Sequence, residues 1–130
     1  MRKLALRDEI LLQIDKAARY IGGEVNAVMK NKDDVDIRFA MAFPDVYEIG
    51  MSNLGMMILY DMFNKRDDVW CERLFSPWTD LDKIMREEKI PLFTLESHSD
   101  MKCVTQTCSS FWISVEWHSV QQSVPKMILL

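Results

Sequence analysis

No apolar run in this 130-residue chain approaches the ~20 residues that a bilayer-crossing helix needs. The opening, Met1-Arg2-Lys3-Leu4-Ala5-Leu6-Arg7-Asp8-Glu9, puts charges where a signal peptide needs its apolar stretch. The sequence therefore predicts a cytoplasmic protein with no membrane association. It also lacks a basic block. Sixteen Lys and Arg stand against twenty Asp and Glu, a net charge of −4, so no nucleic-acid partner is expected. Cysteine is scarce: Cys71, Cys103 and Cys108 are an odd number without framework spacing, which predicts reduced thiols. Neither a Cys-x2-Cys pair nor a His-x3–5-His pair is present, so a zinc site is not expected. With only four glycines there is no Gly-x-Gly-x-x-Gly after a strand and no phosphate loop ending in Gly-Lys-Ser/Thr. A Gly-x-Ser-x-Gly elbow and a Ser-His-Asp order are absent too.

What remains is the make-up of one globular domain, with 48% hydrophobic and 28% charged residues. The ten methionines read as core gap-fillers. Charge is unevenly spread: residues 98–130 hold only Asp100, Lys102, Glu116 and Lys126. The chain accordingly divides into residues 1–34, an N-terminal helix and connector; residues 35–97, an α/β unit; and residues 98–130, a divergent or frameshifted tail that continues the domain weakly.

Residues 6–20 carry Ile10, Leu11, Ile14, Ala17 and Ala18 at three- and four-residue spacing, which predicts a helix stopped by Gly22-Gly23. Residues 35–43 alternate and then turn wholly apolar, as a strand inside a parallel sheet does, and Pro44 is expected to end it. A loop over residues 45–53 then leads to a largely buried helix at residues 54–64, capped by Ser52 or Asn53. Residues 69–75 form a second strand. Residues 80–89 form an amphipathic helix capped by Thr79, and residues 92–95 a third short strand. This β-α-β-α-β order predicts an open parallel α/β sheet of the Rossmann-like or flavodoxin-like kind, incomplete and preceded by the N-terminal helix.

Such sheets place ligands beyond the carboxyl ends of their strands. The candidate site residues are therefore Pro44, Asp45, Tyr47, Glu48, Gly50, Met51, Ser52, Asn53 and Gly55 from the first strand end. Ser76 and Trp78 come from the second, and Glu96 and Ser97 from the third. Gly50 is expected to supply a positive φ and Gly55 a close helix–sheet approach. Asp45 and Glu48 could serve as an acid/base pair. Trp78 could cover a ligand or anchor an interface, and Cys71 reads as a packed thiol.

Four runs carry a resemblance: Ala18-Arg19-Tyr20-Ile21-Gly22-Gly23-Glu24-Val25-Asn26; Phe43-Pro44-Asp45-Val46-Tyr47-Glu48-Ile49-Gly50-Met51-Ser52-Asn53-Leu54-Gly55; Asp68-Val69-Trp70-Cys71-Glu72-Arg73-Leu74-Phe75-Ser76-Pro77-Trp78; and Ile90-Pro91-Leu92-Phe93-Thr94-Leu95-Glu96-Ser97. In order and spacing they resemble the N-terminus of a family of cobalamin-binding-domain radical SAM proteins. The resemblance implies a Rossmann-like cobalamin-binding-type domain ahead of a radical SAM barrel, so that this chain is a truncated piece, inactive alone, whose partner is the missing radical SAM domain. It implies cobalamin as a ligand, and an iron–sulfur cluster with S-adenosylmethionine only in a full-length relative. Three departures qualify it. No Cys-x3-Cys-x2-Cys cluster motif is present. No Asp-x-His-x-x-Gly follows the first strand, so cobalamin would bind without a protein axial histidine. After Ser97 the likeness fades to weak echoes at Ile113-Ser114-Val115-Glu116-Trp117 and Val124-Pro125-Lys126-Met127-Ile128. The rival reading is a small α/β ligand-binding or protein-interaction module without a corrinoid. A weaker third is a hydrolase using Asp45 or Glu48. Self-association is expected if the sheet is left uncovered.

Overall fold

The computed structural model describes residues 6–100. Its elements are α1 (Asp8–Leu11), α2 (Ala18–Ile21), β1 (Ile37–Val46), α3 (Tyr47–Ser52), α4 (Leu54–Asn64), β2 (Val69–Ser76) and α5 (Thr79–Glu88). β1 and β2 are parallel neighbours, in even register from Ile37 opposite Val69 to Phe43 opposite Phe75. α4 is the crossover between them. It lays Met56 and Tyr60 on Met41 and Cys71, with Phe39, Phe43, Phe63 and Phe75 around them. The architecture is α/β with an open parallel sheet, an incomplete Rossmann-like fold. A second cluster joins Ile10, Ile14 and Tyr20 to Leu81 and Met85 of α5.

Several local expectations are corrected. Residues 6–20 do not form one helix. The Asp15 N–H donates to Asp80 Oδ2 at 2.9 Å, a tertiary partner, and only the single turns α1 and α2 are helical. The apolar spacing there reports burial against α5 rather than a continuous helix. Gly22 and Gly23, with φ of 73° and 83°, end α2 as expected.

β1 does not stop at Pro44. It continues to Val46 across an irregularity between Phe43 and Val46, and neither Pro44 nor Asp45 has an opposite residue in β2. A proline at such a bulge breaks no ladder hydrogen bond. The expected loop over residues 45–53 is mostly the helix α3. Gly50 is not at positive φ. It is buried in α3, where an added Cβ would lie 2.2 Å from the Phe75 ring. The close approach expected of Gly55 thus belongs to Gly50, since a Cβ on Gly55 would meet only the Asn53 side chain, at 3.3 Å.

Asn53 caps α4, its Oδ1 accepting from Met56 N at 2.9 Å. Thr79 is the first residue of α5 rather than its cap. The cap position is Trp78, and the start of the helix is favoured by Asp80 and Asp82 in its first turn. α4 is less buried than its composition predicts, because Leu54, Ile58 and Met62 remain exposed.

Residues 92–95 do not form a third parallel strand. Phe93 instead makes an antiparallel bridge with Asp100, around a turn in which His98 has φ 54°. The reason lies on the edge of β2. Asn64 takes both backbone groups of Cys71, at 3.0 Å each. A Glu96 carboxylate oxygen takes the Arg73 N–H at 2.6 Å, and only the Leu95 N–H makes a backbone bond, to Arg73 O at 2.8 Å. Side chains seal most of the edge that a strand would have paired. The expectations for residues 101–130, including a further strand near residues 111–117, lie outside the described residues.

Candidate functional site

Parallel pairing puts the ends of β1 and β2 on one side, and α3 and α5 start there. Charged groups inside the strands organise this region. Successive strand residues face opposite ways, so Glu72 and Arg73 serve the two faces of the sheet.

On the α4 face, Arg73 is fully buried. Its Nε donates to Glu96 at 2.7 Å, its Nη2 reaches Glu24 at 3.4 Å, and its Nη1 meets the Met51 sulfur at 3.2 Å. The guanidinium lies 4.4 Å from the centroid of the Tyr60 ring. Tyr47 completes the group, donating its hydroxyl to Glu24 at 2.9 Å and setting its ring edge-on to Phe75. Burial, with the Glu24 carboxylate beside it, pushes the Tyr47 phenol up to about 12. Burial also raises Glu96, against the pull of Arg73, and raises Tyr60. Burial, then the charges of Glu96 and Glu72, push the Cys71 thiol up to about 12.

On the other face, Arg38 bonds Glu72 at 2.6 Å. Glu72 also accepts from Thr94 Oγ1 at 2.7 Å and from the Ser97 hydroxyl. Ser97 and Ser99 in turn accept from Arg38 at 2.9 Å each. This network holds the turn around His98 against the sheet. Among the described residues, no buried side-chain nitrogen or oxygen lacks a partner.

At the rim, Arg19 bridges α3 and the start of α5. It bonds Glu48 at 2.6 Å and lies 5.2 Å from the centroid of the Trp78 ring. Burial opposes ionisation of Glu48, but Arg19 and then Lys16 hold its carboxyl below the usual range. The Trp78 N–H donates to the Tyr20 hydroxyl at 2.9 Å.

The structure therefore brings Tyr47, Met51 and Glu96 together through Arg73 and Glu24, and Glu48 with Trp78 through Arg19. Ser97 turns to the opposite face. Asp45 accepts from its neighbour Val46 N at 2.7 Å, so Asp45 and Glu48 go to different partners. Ser52 donates to Glu48 O at 2.6 Å, and Asn53 caps α4. Pro44 and Gly55 are exposed, and Ser76 closes β2 opposite Val46. Sequence reasoning missed Arg19, Glu24, Arg38, Tyr60, Glu72 and Arg73 as organising residues. A signal was available: Arg38 stands inside a strand read as buried, Glu72 and Arg73 stand inside its expected neighbour, and a buried charge requires a partner.

The cleft beside this rim, lined by Arg19, Tyr20, Phe75, Pro77 and Leu95 among others, has a volume of about 20 Å3. That admits a single water. Ligand pockets of drug size run from about 300 to 1,000 Å3. α3, Met51 and the Arg73 cluster stand at this end of the sheet, and this cleft has no room for a corrin ring. Cys71 is fully buried with a raised thiol, and among the described residues no three His, Cys, Asp or Glu side chains gather as metal ligands.

The chain belongs to the family of N-terminal regions of radical SAM proteins. The family model described as "Radical SAM proteins, N-terminal" matches residues 55–128, more than half of the chain. The match takes in Glu72, Arg73, Trp78, Glu96 and Ser97, and runs past Ser97, where the motif resemblance faded. No curated protein and no solved structure matches. Among the described residues no helix is long and apolar enough to cross a membrane.

Proposed function

We propose that this chain is the N-terminal accessory lobe of a radical SAM protein, which supports a following radical SAM domain and does not catalyse by itself. The observation that carries the reading is the use of its charged groups. Arg38, Glu72, Arg73 and Glu96 are spent on one another in the interior, and none is left aimed at an open cavity. Family membership supplies the context. Cysteines without framework spacing support a reducing, cytoplasmic setting.

The finer reading, a cobalamin-binding lobe, is favoured by the Rossmann-like sheet and its strand-end loops. The water-sized cleft favours the corrinoid-free alternative, and we adopt that alternative. Titration of the 130-residue chain with hydroxocobalamin, followed by absorbance, tests the choice. No saturable change is expected; saturable stoichiometric binding overturns it. For the accessory role, the N-terminal region is deleted from a full-length family member and 5′-deoxyadenosine formation is measured. The deletion is expected to lower turnover, with partial rescue by the separate lobe. Unchanged turnover sinks the reading.

A further inference from the structure

We infer that residues 111–117 of this chain pair as a further strand with the outer edge of β1, so that β1 lies between that strand and β2. The inference goes beyond the accessory-lobe reading and does not depend on it. The two edges of the described sheet are unlike. Along β2, Lys30 Nζ donates to the Val69 carbonyl at 2.6 Å, and Asn64 holds both backbone groups of Cys71. Glu96 takes the Arg73 N–H, and the Arg73 carbonyl accepts from Leu95 N. A strand joins that edge only by displacing all of these.

β1 is different. Ile37 N donates to Asp68 O at 3.0 Å, and the even register continues from there, so Ile37, Phe39, Met41 and Phe43 bond β2. The backbone groups of Ala40 and Ala42 therefore point away from β2, and among the described residues they have no partner. Ala42 is nevertheless only 3% exposed. Backbone N–H and C=O groups buried that deeply are almost always paired.

The chain itself supplies the partner. Leu95 stands at the outer edge of β2, and two to four residues later Ser97 and Ser99 accept from the Arg38 side chain of β1, at 2.9 Å each. The chain thus runs toward β1 as it approaches residue 101. Residues 101–110 reach up to about 35 Å when extended, about the length of β1, which brings residues 111–117 to any point of its edge. Phe111, Ile113, Val115 and Trp117 alternate with Trp112, Ser114 and Glu116, the period-two pattern of a strand with one apolar face. That face suits the side of the sheet where Phe39, Phe43 and Phe63 are only half-buried. The family match takes in α4, β2 and residues 111–117 in one stretch. Between residues 76 and 111 the chain contains α5 and is long enough for a crossover. A first strand flanked by the second and the third is the arrangement of a flavodoxin-like sheet. Covering β1 also removes an edge on which other chains would add.

The test is magnetic resonance on the isotope-labelled 130-residue chain, with amide exchange followed at each residue. The Ala40 and Ala42 amides are expected to exchange about a hundredfold or more slower than in an unfolded chain, and to lie in contact with residues 111–117. Ser114→Pro and Val115→Pro are then compared. Alternate residues turn their N–H groups to opposite sides, so the substitution whose N–H faces β1 is expected to speed exchange at Ala40 and Ala42 about tenfold or more. Exchange at Met41, bonded to β2, should stay as in the parent. Fast exchange at Ala40 and Ala42 in the parent overturns the inference, as does their protection by any other segment. Contacts between differently labelled copies place a second copy on the edge and overturn it too, and so does parental exchange in both proline variants. Should both variants unfold, with Met41 and Cys71 exposed alike, the contacts seen in the parent decide the matter alone.

Discussion

Gly50 illustrates how far a single atom matters in this fold. An added methyl would lie 2.2 Å from the Phe75 ring and 3.2 Å from Phe43. Gly50→Ala is expected to destabilise the protein by about 1–3 kcal/mol, the usual cost of overpacking, read as a lower urea midpoint with unchanged slope. The three tyrosines offer a pH test. Tyr20, Tyr47 and Tyr60 all have phenols raised by burial, Tyr47 to about 12. A raised acid holds its proton more tightly when folded. Its contribution to stability is complete below the ordinary value of 10 and is lost as pH rises through the folded value. Alkaline titration at 295 nm is therefore expected to show no ionisation near pH 10, and a steep joint ionisation with unfolding above it. A normal phenol seen in the folded state counts against the buried Arg73 cluster. The same burial makes Cys71 inert. With Cys103 and Cys108 replaced by serine, the protein should react with a thiol reagent only after denaturant is added.

At the scale of elements, the edge of β2 is held by side chains from two directions. Asn64 reaches it from the end of α4, and Glu96 from the turn beyond residue 95. Asn64→Ala leaves a buried N–H and a buried carbonyl of Cys71 without that partner. The expected loss is about 1–3 kcal/mol for each orphaned group, read by denaturant unfolding. Glu72→Gln removes the carboxylate that faces Arg38 in the interior. Removing one member of a buried pair costs about 3–5 kcal/mol. The turn at residues 94–99 should loosen at the same time, seen as faster hydrogen exchange at Ser97 and Ser99. Equal exchange in parent and variant would show that the turn holds without this network.

For the whole molecule, the α/β pattern was legible because it rests on local physics. Residues 35–43 and 69–75 are short strand-like runs separated by one largely apolar helix, and a parallel pair needs that crossover. The site was legible only in part. Tyr47, Glu48, Trp78 and Glu96 were flagged because they follow strand ends. Their partners Arg19, Glu24 and Arg73 come from positions 23 to 59 residues away, and no local pattern announces such pairings. Residues 92–95 look like a parallel strand and instead lead through a bridge at Phe93 into a turn, because side chains hold the edge they would have joined. On this architecture, anaerobic iron and sulfide reconstitution of the chain is expected to give no stoichiometric cluster by optical spectrum and iron count. Clean incorporation would require ligands that the sequence spacing of Cys71, Cys103 and Cys108 does not supply.

The sequence by itself determined the class of fold, the parallel strand pair, the helix of residues 54–64 with a cap at Ser52 or Asn53, and the family motifs. Each depends on neighbours within a few turns of chain, through periodicity, capping and the steric demands of proline and glycine. Only the tertiary structure decided that residues 6–20 break into single turns, that Gly50 rather than Gly55 is the point of closest approach, and that Arg73 gathers Glu24 and Glu96. The physical reason is shared: each outcome turns on a contact between distant segments, Asp15 with Asp80, Gly50 with Phe75, Arg73 with Glu24 and Glu96. Burial energies at such contacts exceed the fractions of a kcal/mol that local propensity contributes.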